Sequence, residues 1–361
     1  MINLLNYNIL RKLDGYSYVS TLYLFIHSQV INLLEPAYLL NSKTMNTKII
    51  QIRAFCRQFY WTVFLILSCV LGGNATAGTI VRIATSVGDY SIELFDQEAP
   101  ITVKNFLNYV RNGDYNRTYL HRVVDDFVVQ GGGYRFELFV GPIDVASNEP
   151  IKNEFGASNI AGTVAMAKFD GNPDSATSQW FVNVADNSGN LDTNNGGFTV
   201  FGTVLGDGLQ VLKAIDGLPF VNLGDKAPSA SFRTENYENP LDFVYINTVI
   251  TERFSSAPHV FESATGILIT SVNVDSGLEA VSLQLKSVPA AEGLVLQVDL
   301  ASSIPRNLFE GIATFSSIDN KLRIPSLEVN LDGSVSVLKD VVFSLHNAAK
   351  SQFILETYVT Q

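Results

Sequence analysis

The residues best equipped for chemistry stand together in the stretch 120–133, LHRVVDDFVVQGGG: the guanidinium of Arg122, the ring of Phe127 and the amide of Gln130. Strand alternation puts Leu120, Arg122 and Val124 on one face and His121 and Val123 on the other, so Arg122 projects from an otherwise apolar strand. An arginine stays charged in a protein and is costly to bury alone, so it needs a carboxylate partner or a functional task. Both readings stay open at this point: an ion pair with Asp125 or Asp126, or a donor held for a ligand.

Competing chemistries find little support. The glycines at 131–133 are not followed by a helix-opening pattern with a lysine, which argues against a phosphate cradle. DGNPD at 170–174 spaces oxygen ligands at alternate positions but lacks the glycine and glutamate that complete a calcium loop. His121 is the only histidine between 78 and 252 and has no nucleophile on its face, so it reads as a packing and hydrogen-bonding residue. No cofactor and no metal is expected.

The elements that must position these groups follow from periodicity. Ile80 to Ala84 and Tyr90 to Phe95 alternate about Gly88-Asp89 and predict a hairpin. Val103, Phe106, Leu107 and Val110 lie at helical spacing, with Pro100 suited to the first turn and Gly113 to the stop. A long glycine-containing connection leads to expected strands over Ile160 to Phe169, Ser178 to Val184 and Phe198 to Leu205. A short helix over Leu209 to Ile215 and a last strand over Asp242 to Thr251 follow. Many strands with two helices far apart suggest a closed antiparallel barrel.

At 361 residues the chain suggests two domains. Six of its 24 basic groups and two of its 35 acidic ones fall in the first 77 residues, which leaves 18 against 33, a net charge of −15. Such a surface repels phosphate backbones, so no nucleic-acid partner is expected. From Met45 the order is Lys48, Arg53 and Arg57, then an apolar run, then Ala75-Thr76-Ala77. That is the layout of a secretory signal peptide over 45–77, cleaved near Ala77/Gly78. Residues 1–44 then read as an over-extended N-terminus. The run from Phe59 to Leu71 is short for a bilayer span, so no stable membrane span is expected. Both cysteines, Cys56 and Cys69, lie in this leader, and the lipoprotein reading of Cys69 is the weaker one.

From Gly78 to about Thr251 the chain resembles the cyclophilins, the cyclophilin-type peptidyl-prolyl isomerases, and most of all their bacterial periplasmic branch. The matching pieces are IELFDQEAPITVKNFLNYV, LHRVVDDFVVQGGG, PIKNE, GTVAMAKFDGNPDSATSQWFVNVADN and FTVFGTVLGDGLQVLKAI, in order across 78–252. The resemblance implies an eight-stranded antiparallel barrel capped by two helices, and catalysis of X-Pro rotation in proline-containing polypeptides, here exported, unfolded ones. It implies that Arg122, Phe127 and Gln130 are catalytic. It also implies that Val128, Phe181, Leu191 and Phe198 line the proline pocket and that Ala167, Lys168 and Gln179 line the groove for preceding residues. Asp125-Asp126 replaces the family's usual Pro-Gly beside the arginine strand. A catalytically weak module that only holds proline segments is therefore the alternative. A periplasmic or secreted location is expected.

Beyond a polar linker at 253–260 the resemblance ends. Residues 261–361 alternate Val, Leu and Ile and carry a weak repeat. Phe261, ILITSVNV, VSLQL and LVLQV are followed by Phe315, LRIPSLEV, VVFSL and FILET. Two such copies predict a small all-β, sandwich-like accessory domain, with a partner the sequence does not name.

Overall fold

The computed structural model describes residues 78–360 apart from 292 and 332–333; the expected leader, with both cysteines, lies outside the described residues. Strands β1 (Ile80–Thr85) and β2 (Asp89–Leu94) pair antiparallel, Val81 opposite Ile92 and Ile83 opposite Tyr90. All four side chains are buried, as a period of two requires of a barrel interior. Helix α1 (Pro100–Asn112) starts on a proline whose missing N–H would have had no partner there. It stops at Gly113, which at φ 71° takes the left-handed cap that glycine adopts without strain. The expected face, Val103, Phe106, Leu107 and Val110, joins the barrel core.

Next come β3 (Thr118–Tyr119), β4 (Arg122–Val124), β5 (Val128–Gly131) and a hairpin of β6 (Tyr134–Glu137) and β7 (Gly141–Asp144). They are followed by β8 (Thr163–Met166), β9 (Trp180–Asn183), the single turn α2 (Ser188–Leu191), β10 (Val200–Val204) and α3 (Gly208–Asp216). A two-stranded ribbon, β11 (Phe220–Val221) with β12 (Ala230–Ser231), precedes β13 (Tyr245–Thr251). The sheet order is β4-β5-β9-β8-β10-β2-β1-β13-β3, with β6 and β7 beyond β3.

Strands β3 and β4 are the two ends of one segment. Its start pairs with β13 and its end with β5, so the sheet closes into an antiparallel barrel of eight strand positions. The barrel and its two longer helices are those that the resemblance implied. The break at Leu120-His121 shifts the alternation by one. Leu120 therefore turns into the core beside Val123, and the expectation that it shares the face of Arg122 is corrected.

The C-terminal strands are β14 (Val260–Glu262), β15 (Ile267–Val274), β16 (Ala280–Val288), β17 (Val295–Arg306), β18 (Ala313–Ser316), β19 (Lys321–Leu331), β20 (Ser334–Asn347) and β21 (Gln352–Thr360). They form one sheet, β14-β15-β16-β17-β21-β20-β19-β18, that also closes, because β14 and β18 both fill the gap between β15 and β19. The pairing is two-fold symmetric. The first strand of each group of four runs parallel to the second strand of the other group, and the two last strands pair with each other. Leu268, Leu285, Leu296, Leu322, Val341 and Phe343 fill this second core.

A buried charge cluster joins the two barrels. Asp89 accepts from Arg82 Nη2 at 2.6 Å and from Arg306 Nη1, which also donates to the carbonyl of Thr85 at 2.6 Å. Burial pushes the Asp89 carboxyl up, but the guanidiniums of Arg306 and Arg82 outweigh it and hold it below the usual range.

Candidate active site

A row of side chains crosses the outside of the first barrel. Arg122 on β4 stands opposite Gln130 on β5, Gln130 opposite Phe181 on β9, Phe181 opposite Ala165 on β8, and Ala165 opposite Val200 on β10. Cross-strand partners share a face, so one cation, one amide and one ring are lined up by strand register alone. Their sequence neighbours Val123, Val129, Val182 and Val164 point the other way, into the barrel core.

Hydrogen bonds fix the polar end of the row. Arg122 Nη1 donates to Gln130 Oε1 at 3.2 Å, and Gln130 Nε2 donates to Gln179 Oε1 at 2.8 Å. His121 Nε2 lies 3.2 Å from the same Gln179 oxygen. Burial, chiefly, pushes the His121 imidazole down to about 4, so at neutral pH it is uncharged and Nε2–H is the tautomer that donates to Gln179. The three glycines that follow make this arrangement possible. Gly132 has φ +79° with a would-be Cβ 2.7 Å from the carbonyl of Ser178, and a Cβ on Gly133 would stand 3.0 Å from both Gln179 and His121.

The apolar end is a separate cluster of Val128, Ala165, Phe181, Leu191 and Val200, with Phe127, Ala167 and Phe198 packed against it. Phe181 and Phe198 meet edge to face at 5.9 Å. Lys168 Nζ lies 4.7 Å from the centre of the Phe198 ring and donates to the carbonyls of Asn195 (2.8 Å) and Gly197 (2.7 Å), tying down the loop that carries Phe198. All ten residues singled out in the sequence thus gather on one outer face: three in the polar chain, six in the apolar cluster, and Lys168 at its rim. Phe95, Ala157, Ala165 and Val200 were not foreseen there. They are ordinary apolar residues, and only the strand register reveals them.

Asp125 and Asp126 do not hold Arg122. Among the described residues the guanidinium has no carboxylate within 4.0 Å; burial alone lowers its proton affinity. The two aspartates sit exposed at the β4–β5 turn, where their carboxylates cluster with that of Asp216 on α3. Asp126 is at φ 49°, and its N–H donates to Asp216 Oδ2 at 3.1 Å. A shape-fixed donor fork beside an apolar pocket can grip a planar or twisted amide whose side chain is a compact hydrocarbon.

Residues 80–238 match the family model described as cyclophilin type peptidyl-prolyl cis-trans isomerase/CLD. A peptidyl-prolyl cis-trans isomerase of Acinetobacter baylyi is 43% identical over 166 residues, which cover 44% of this chain and 85% of the relative. Peptidyl-prolyl cis-trans isomerase A of Dickeya dadantii is 43% identical over 42% of this chain and 77% of its own length. Peptidyl-prolyl cis-trans isomerase B of Escherichia coli is 44% identical over 38% and 85%. Among the described residues no helix is long and apolar enough to cross a membrane. With its barrel and this degree of identity to bacterial isomerases, the chain belongs to the cyclophilin-type peptidyl-prolyl cis-trans isomerases.

Proposed function

We propose that this isomerase acts on X-Pro bonds of exported, unfolded proteins, with Arg122 stabilising the twisted imide. Rotation is slow because conjugation of the nitrogen lone pair with the carbonyl sets a barrier of ~18–20 kcal/mol. Twisting frees the lone pair to accept a hydrogen bond. A guanidinium aimed at that nitrogen gains more from the twisted state than from the planar one, and only such differential binding raises the rate. The observation that carries this reading is that Arg122 has no carboxylate partner among the described residues and is oriented by Gln130 at the edge of an apolar pocket. Gln130 also presents its amide to substrate backbone. Phe127, Val128, Phe181, Leu191 and Phe198 receive the proline ring, and Ala167, Lys168 and Gln179 line the groove for the residues before it. An assay of proline isomerisation decides the point. Arg122→Ala is expected to lower kcat/KM by about 10²–10³-fold, the range for deleting one transition-state donor. Rates equal to those of the unchanged protein would overturn the mechanism.

The export part of the proposal rests on the leader-like order of charge, apolar run and small residues in 45–77. It makes 78–252 the isomerase domain and 261–361 an accessory β domain in the periplasm or secreted fluid. Sequencing the N-terminus of the exported protein tests it. A mature end at Gly78 is expected, and an end upstream of Met45 would refute the start-site reading.

A further inference from the structure

A cavity of about 850 Å³ lies away from the proline pocket, between the isomerase barrel and the C-terminal barrel. The end of α1, β13 and the β6–β7 hairpin wall it on one side; β15, β16 and β17 wall it on the other. Its size falls in the range of ~300–1,000 Å³ typical of ligand sites.

Two properties of its walls bear on what it could hold. The first is charge. Arg111, Arg117, Arg135 and Lys286 face Glu137 and Asp299 in a chain whose net charge is −11. Lys286 and Asp299 satisfy each other at 2.7 Å, so three guanidiniums remain against one carboxylate. Arg135 is held rigid by the carbonyls of Asn116 (3.2 Å), Gly113 (3.3 Å) and Asp114 (2.6 Å). Arg111 and Arg117 are exposed, and among the described residues their side chains make no ion pair and no hydrogen bond. The second is an apolar lining, Phe136, Val249, Ile250 and Ile267, continued at the hairpin tip by Leu138, Phe139 and Val140. These three are 60%, 98% and 67% exposed, and contiguous exposed apolar side chains mark interaction surfaces.

We propose that this cleft binds an extended polypeptide segment in which carboxylates alternate with apolar side chains, as a second client site independent of Arg122. The guanidiniums match the carboxylates and the lining matches the apolar residues, whereas a phosphate polymer brings no apolar side chains to that lining. Arg117 precedes Arg122 by five residues. The two backbone positions are therefore at most ~18 Å apart, so a client held in the cleft stays within reach of the proline pocket.

Fluorescence anisotropy on the full chain tests this with a labelled ten-residue peptide of Glu and Leu that contains no proline. Saturable binding is expected, at least tenfold weaker at 1 M salt, where the screening length falls to about 3 Å. The double variant Arg111→Glu with Arg117→Glu should weaken it at least tenfold, and Phe139→Ser about threefold. Isomerisation of a short proline peptide should stay within twofold in each, which also shows that the variants fold. A peptide with Lys in place of Glu should bind at least tenfold more weakly. Equal affinity for the two peptides, or no response to the double variant, overturns the proposal. So does full displacement by millimolar citrate, which would indicate a small-anion site. A dimer dissolved by the double variant would put a second copy of the chain in the cleft and overturn it equally.

Discussion

Arg122 and Arg306 show two ways of housing a guanidinium against the same barrel. Arg306 is buried, shares Asp89 with Arg82 and caps the carbonyl of Thr85. Arg122 is half buried and has an amide, not a carboxylate, for company. A carboxylate neutralises an arginine and consumes its donors, whereas an amide orients it and leaves most of its five N–H groups free. The first arrangement is suited to holding two barrels together and the second to meeting a substrate.

Breaking each arrangement should therefore give opposite signatures. Asp89→Ala strands two buried guanidiniums and should destabilise the protein by about 3–5 kcal/mol, read from denaturant unfolding, with activity per folded molecule retained. Arg122→Ala should do the reverse: a stability change within about 1 kcal/mol beside the 10²–10³-fold loss of kcat/KM. If Arg122→Ala unfolds the protein, the contrast fails. His121 offers a third measurement. Its imidazole titrates near 4 when folded and near 6.5 when unfolded, so the unfolded chain binds the extra proton between those values. Stability should thus fall as pH drops from about 6.5 to 4, by about 3 kcal/mol more than in His121→Gln, as measured by urea midpoints at several pH values. Above pH 6 its charge does not change, and activity should be flat from pH 6 to 8. Gln130→Ala frees the guanidinium to wander and should cost about tenfold in kcat/KM, the worth of one hydrogen bond to a charged group. The smallest effect belongs to Asp125→Asn with Asp126→Asn, under about twofold, because those carboxylates face Asp216. A larger change would mean that they act on Arg122 through space.

Much of this was legible in the residues. Period-two alternation located β1, β2, β9 and β13, and Pro100 with Gly113 bounded α1. Strand ends were less so. The strand expected from Ile160 begins at Thr163, because residues 160–163 form a turn in which Gly162 takes φ +84° and the Thr163 N–H donates to the carbonyl of Ile160. The β6–β7 hairpin was hidden in a glycine-containing connection, since its side chains are only partly covered and carry no clean alternation. In the site, Arg122 and Gln130 were visible as a pair eight residues apart. Their link to His121 through Gln179 was not, since it joins positions 49 and 58 residues apart and depends on β5 lying beside β9. Nor could the sequence tell that Asp125 and Asp126 turn to Asp216, 90 residues on.

The second barrel has its own lesson in how its strands are shared. Each half lends its first strand to the other, β14 lying along β19 and β18 along β15, and the two halves are joined by one chain crossing, 307–312. Neither half can be peeled away without tearing a strand out of its neighbour. The unit that opens is then the whole ring, and a protease cut in that crossing would leave two fragments still clasped.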